Sequence, residues 1–130
     1  MIQQPANSAA APAPILVVDD DYQLRTTIQI LLEEEGFAVQ TAADGREAVE
    51  LALARQPSLV ILDMGLPLLN GSEVAGRLRA HYGSSVPFLL ITADGQAERK
   101  SRLIGAARFL RKPFLIDTLL AAIHQVLRLV

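Results

Sequence analysis

From Ile15 onward the chain alternates between compact apolar runs and stretches where apolar residues recur at helical spacing. The first run, residues 15–18, is rich in β-branched residues and apolar at every position, as a strand covered on both faces must be. It ends abruptly in Asp19, Asp20 and Asp21. Leu24, Ile28, Leu31 and Leu32 then follow a helical period, and Gly36 stops that helix. Residues 37–41 predict a second strand. Asp44 followed by Glu47 resembles a capping box, opening a helix through Ala48, Leu51 and Ala52 that ends before Pro57. Residues 59–62 read as a third buried strand ending in Asp63, and the loop 64–71 leads to a helix carrying Val74, Ala75 and Leu78. Residues 86–91 predict a fourth strand running into Thr92. A polar, weakly amphipathic stretch follows at 96–104. Phe109 and Leu110 form a short fifth strand before Arg111, Lys112 and Pro113. A last helix places Leu115, Leu119, Leu120, Ile123 and Leu127 along one face.

Five strands alternating with five helices predict an α/β sandwich with a parallel sheet and right-handed crossovers. The length of 130 residues fits one domain, with 51% hydrophobic and 20% charged residues and a mean hydropathy of +0.30. No apolar run approaches the ~18 residues that cross a bilayer. Cysteine is absent, which excludes disulfides, zinc–thiolate sites and thiol catalysis. A net charge of -2 argues against non-specific nucleic-acid binding, which needs a basic face. Residues 1–14 lack the basic and apolar regions of a secretory signal. Their Ala, Pro, Gln and Ser content predicts a flexible tail ahead of a domain at 15–130. The expected compartment is the cytoplasm.

The polar residues at the strand ends carry the chemistry. Asp19 and Asp20 follow strand one, Asp63 strand three, Thr92 strand four and Lys112 strand five. Parallel strands bring all these ends to one edge of the sheet, where open α/β folds bind their ligands. Three carboxylates held together repel one another. A divalent cation removes the conflict, and Mg²⁺ suits hard carboxylate oxygens that share it with phosphate. Lys112 adds a compact, far-reaching positive charge. Thr92 can donate a hydrogen bond, and Ala93 leaves room for an incoming group. This set suits in-line attack of a carboxylate on phosphorus, where positioning and charge neutralisation supply most of the catalysis and an acyl phosphate results.

The segments ILVVDDD (15–21), LVILDMGLPLLNG (59–71), FLLITAD (88–94) and GAARFLRKPF (105–114) resemble, in order, the motifs of the receiver domain of two-component response regulators. The resemblance covers nearly everything from Ile15 to Val130. It implies a flavodoxin-like three-layer α/β/α sandwich with five parallel strands in the order 2-1-3-4-5. Asp63 resembles the phosphoacceptor, Asp20 the direct Mg²⁺ ligand, and Asp19 its partner acting largely through metal-bound water. The Gly65 backbone carbonyl resembles the third protein ligand. Lys112 is similar to the phosphate-pairing lysine, with a cis bond to Pro113. Thr92 and Phe109 resemble a switch pair, in which the hydroxyl moves toward the phosphoryl group and the ring turns inward. The implied function is a signalling switch, not a metabolic enzyme, that catalyses only its own Mg²⁺-dependent phosphorylation and dephosphorylation. The implied partners are a sensor histidine kinase or phosphotransfer protein, an output partner or domain, and a second copy in a phosphorylation-dependent homodimer. Neither nucleic acid nor membrane is expected to bind directly.

Three departures from the family pattern stand out. The stretch between Thr92 and Gly105 is shorter by about two residues than the common receiver pattern, so the fourth helix is expected to be short, shifted or irregular. Asn70 replaces a frequent acidic residue at a turn. Gly65 carries no side chain over the acceptor, and Asp94 lies two residues after Thr92; these positions tune dephosphorylation in relatives. Three other functions use the same or a related fold. A phosphorylation-independent docking module is disfavoured by the complete acidic set. A phosphatase with an aspartyl nucleophile needs a general acid where Gly65 stands, and a flavin domain needs a phosphate-cradling loop absent after strand one. His81 and His124 read as surface or partly packed residues. Arg99, Lys100, Arg102, Arg108 and Arg111 read as a solvated face.

Overall fold

In the computed structural model, residues 12–66, 69–93, 95 and 97–129 are described. Five strands, β1 (Ile15–Val18), β2 (Val39–Ala42), β3 (Leu59–Asp63), β4 (Phe88–Thr92) and β5 (Arg108–Arg111), alternate with five helices. The helices are α1 (Tyr22–Glu34), α2 (Gly45–Ala54), α3 (Gly71–Tyr82), α4 (Ala97–Ile104) and α5 (Ile116–Leu129). All strand pairs are parallel, and the sheet order is β2-β1-β3-β4-β5.

Strand side chains alternate between the faces, so each central strand feeds two cores. Leu16, Val18, Val60, Leu62, Phe88 and Leu90 pack toward the buried faces of α2, α3 and α4. Ile15, Val17, Leu59, Ile61, Leu89 and Ile91 pack toward Ile28 and Leu32 of α1 and Leu119, Ala122, Ile123 and Val126 of α5. Burying one such side chain fully contributes roughly 1.5–3 kcal/mol. That is why the three central strands read as unbroken apolar runs.

The helix ends follow from local chemistry. Asp21 caps α1 by accepting from the N–H groups of Gln23 and Leu24. Gly36, at φ +95°, takes the left-handed turn that closes α1. Asp44 caps α2 through Glu47 N–H, but Glu47 accepts from the Ala43 N–H, one residue before the N-cap, so the box is not reciprocal. The full capping box is at α3: Asn70 accepts from Glu73 N–H at 3.0 Å while Glu73 Oε1 accepts from Asn70 N–H at 3.2 Å. Asn70 is therefore more than a tolerated turn residue. Asn70→Ala is expected to lower stability by about 1 kcal/mol, read as a drop in the urea midpoint with an unchanged slope.

Three boundaries differ from the sequence reading. β2 begins at Val39 rather than at residue 37, because Phe37 packs against the α1 and α5 core instead of joining the ladder. β4 begins two residues later than read, just past Pro87, which has no N–H for a ladder. β5 extends to Arg108 and Arg111, whose side chains are exposed at the sheet edge. Among the shapes open to the fourth helix, the short one is found: α4 is a regular helix of 8 residues with Ser101 and Ile104 buried.

Of the stretch 1–14, only residues 12–14 are described. Pro14 is buried, and its carbonyl accepts from Ser58 N–H at 2.8 Å, while the Pro12 carbonyl accepts from Arg55 Nη2 at 2.6 Å. These contacts lie at the N-terminal edge of the sheet, opposite the strand ends that carry the acids.

Candidate functional site

Register brings the acids together. Val18 pairs with Leu62, so Asp19 and Asp63 leave adjacent strands side by side. Asp63 in turn pairs with Ile91, which sets Thr92 next to it, and Thr92 pairs with Arg111, the residue before Lys112. The Lys112 N–H donates to the Thr92 carbonyl at 2.8 Å and holds the lysine at this edge. The Lys112–Pro113 peptide bond is cis.

Carboxylate oxygens of Asp19, Asp20 and Asp63 all lie within 4.8 Å of one another. Asp19 is fully buried, Asp63 is 7% and Thr92 4% exposed, and Asp20 faces solvent. Lys112 Nζ lies 2.8 Å from Asp19 Oδ2 and 3.2 Å from Asp63 Oδ2. Burial alone would lower the Lys112 pKa, but pairing with the Asp19 and Asp63 carboxylates outweighs it and raises the pKa above 10.5. The remaining oxygens are tethered by the backbone: Asp19 Oδ1 accepts from Asp21 N–H at 2.9 Å, and Asp63 Oδ1 from Gly65 N–H at 3.1 Å.

One ammonium pairs with two of the three clustered carboxylates, leaving an excess of negative charge at a largely buried point. Asp19 Oδ2 is buried and meets the ammonium without an aligned hydrogen bond. An all-oxygen donor set with an unsatisfied buried oxygen fits a hard divalent cation. The Gly65 carbonyl belongs to the same loop. A Cβ on Gly65 would sit 3.8 Å from Asp63 Oδ1, an ordinary contact, so the Asp63 carboxylate is open on that side.

The other residues singled out from sequence are placed as follows. Phe109 is half-buried and lines a cavity of about 400 Å³ with Glu98, Ser101, Arg102, Ala107 and Arg108. Asp94 and the loop positions Pro67 and Leu68 lie outside the described residues. His81 is exposed and meets Tyr82 edge-on at 4.6 Å; His124 is exposed and tilts against Phe37 at 5.8 Å. Arg102 pairs with Glu98 at 3.4 Å on the solvated side of α4. Sequence reasoning missed Arg25, whose Nη1 donates to the Asp19 carbonyl at 2.7 Å. A contact from a side chain to a backbone atom leaves no mark in residue spacing.

A five-stranded parallel sheet with three converging aspartates and a lysine at its carboxyl edge defines a phosphoacceptor signalling module. The family model described as the response regulator receiver domain matches residues 15–124, and the chain belongs to that family. Among curated relatives, the response regulator MprA of Mycolicibacterium vanbaalenii is 42% identical over 119 residues, covering 90% of this chain and 51% of that protein. MprA of Mycobacterium leprae is 40% identical over 116 residues, covering 88% and 50%. The chain thus spans about half the length of the curated relatives it matches. Among solved structures, chemotaxis protein CheY4 of Vibrio cholerae superposes with a TM-score of 0.81 at 34% identity, covering 89% of this chain and 99% of that one. The response regulator protein TrrA of Thermotoga maritima, solved in complex with Mg(2+)-BeF, gives 0.78 at 32% identity, covering 88% and 98%. No helix among the described residues is long and apolar enough to cross a membrane.

Proposed function

We propose that Asp63 receives a phosphoryl group from a sensor histidine kinase or phosphotransfer protein, and that this switches the domain's affinity for an output partner. The observation that best supports this is the convergence of Asp19, Asp20 and Asp63, two of which pair with the Lys112 ammonium. Asp20, Asp63 and the Gly65 carbonyl would hold Mg²⁺, with Asp19 supporting them. When bound, Mg²⁺ neutralises the carboxylates and the phosphoryl oxygens.

An Asp63 carboxylate oxygen forms the new bond to phosphorus as the donor's leaving group departs with its electron pair, giving an acyl phosphate. Lys112 transfers its pairing from the carboxylates to a phosphoryl oxygen. Water later attacks phosphorus and returns the free carboxylate and inorganic phosphate, so the domain catalyses both steps on itself. The Thr92 hydroxyl hydrogen-bonds the phosphoryl group, and the Phe109 ring turns inward behind it. The cavity beside Phe109 gives that ring space to reorient. The change is a shift of populations, so its size follows the partner's differential affinity for the two states. A phosphorylation-dependent homodimer and a cytoplasmic setting belong to the same reading.

The test is intact mass after incubation with acetyl phosphate. Wild type is expected to gain one phosphoryl group with Mg²⁺ and none with excess EDTA, and Asp63→Ala none in either. No gain on wild type, or an equal gain on Asp63→Ala, rejects the proposal.

A further inference from the structure

Past the last ladder pair at Val18, the carbonyl of Asp19 takes its hydrogen bond from α1, through Arg25 Nη1 at 2.7 Å. Asp19 is fully buried, and a buried carbonyl left unpaired costs free energy. That carbonyl lies in the planar peptide unit joining Asp19 to Asp20. Its orientation therefore governs where the Asp20 side chain leaves the backbone.

The two acids are anchored very differently. The Asp19 carboxylate is tied to Asp21 N–H and to Lys112. Asp20 is exposed, and among the described residues its carboxylate has no hydrogen-bond or ion-pair partner. Only its backbone directs it. Arg25 is itself well seated: its N–H donates to the Asp21 carbonyl at 2.9 Å, and its guanidinium carbon stands 5.5 Å from the centre of the Tyr22 ring.

We infer that Arg25 is a positioning residue for Asp20, fixing the Asp19–Asp20 peptide so that the Asp20 carboxylate is set for a divalent cation before the cation arrives. This rests on the reading of the site given under Proposed function. Charge alone acts in the opposite direction, because a guanidinium beside the pocket repels a cation. Removing it would then tighten Mg²⁺ binding, whereas removing a positioning contact loosens it. The sign separates the two.

The measurement is a Mg²⁺ titration followed by the amide resonances of pocket residues, which needs no phosphorylation. Arg25→Met is expected to bind Mg²⁺ roughly tenfold more weakly than wild type, the lower end for loss of a group supporting a metal ligand. Arg25→Lys, which keeps the charge and one donor, is expected to recover part of that loss. In the acetyl phosphate reaction the half-saturating Mg²⁺ concentration rises, while the rate at saturating Mg²⁺ changes by less than about twofold. Equal or tighter Mg²⁺ binding by Arg25→Met overturns the inference. Should Arg25→Met fail to fold, Arg25→Gln is read by the same sign. A wild type that binds no Mg²⁺, or gains no phosphoryl group, defeats the reading of the site itself. A wild type that does both, beside an unaltered Arg25→Met, defeats only the role of Arg25.

Discussion

Lys112→Met is expected to slow phosphorylation by acetyl phosphate roughly 100-fold, as loss of one preorganised electrostatic group does, and to destabilise the metal-free domain. The ammonium is the only cation that the described residues place against both Asp19 and Asp63. Without it the fully buried Asp19 carboxylate faces Asp63 with no counter-charge. Breaking a buried pair from one side is expected to cost about 3 kcal/mol, the low end of the usual range because Lys112 keeps 20% exposure. Urea unfolding in EDTA reads this directly, and equal midpoints for wild type and variant would sink the argument. Mg²⁺ held only by the assembled acidic pocket would favour the folded state, so saturating Mg²⁺ should restore part of the loss.

The pH dependence has a definite sign. Burial lowers the Lys112 pKa, but Asp19 and Asp63 more than offset it, so the folded value stands above 10.5. A raised folded pKa means the contribution is fully present below the unfolded value and is lost as pH rises through the folded one. The gap in stability between wild type and Lys112→Met should therefore be flat around neutrality and close only in the alkaline range.

Leu62→Ala should cost about 3 kcal/mol, within the range for truncating a buried leucine and leaving a cavity. Leu62 is fully buried in the core beneath α2, α3 and α4, and it directly precedes Asp63. The cavity would loosen the strand that aims Asp63, so a slower phosphorylation should accompany the lower urea midpoint. Leu103→Ala on α4 is the control: at 73% exposure, its change should stay within about 0.5 kcal/mol. A loss at Leu62 no larger than at Leu103 would contradict the packing described.

Much of this could be read in the sequence because strand burial and strand-end chemistry both leave periodic marks. Residues 15–18 and 59–62 are apolar at every position because both sheet faces are covered, and the polar residue ending each run marks the site edge. The topology then brings Asp19, Asp63, Thr92 and Lys112 together without further information. Weaker signals failed where one residue did two jobs. α4 is in fact clearly amphipathic, with Ser101 and Ile104 buried and Glu98, Arg99 and Arg102 exposed; its sequence reads as only weakly so because Ser101 is polar on the buried side and Leu103 is apolar on the exposed one. Phe37 is aromatic and apolar, as a strand residue should be, yet it serves a helix-facing core. Asn70 carries the turn and the cap at once, and the turn masked the cap. Arg25 could not be found at all, because its partner is a carbonyl six residues back rather than a side chain of opposite charge.

The way the chain enters the sheet also matters for experiments. Pro12 and Pro14 are tied to Arg55 and Ser58 at the edge remote from Asp63. A fluorophore or fused reporter joined ahead of Pro12 would therefore depart from the far end of β1. Its attachment point would stand at the edge opposite Asp63, and its motion would register events at Asp63 only if they travelled the length of the strand.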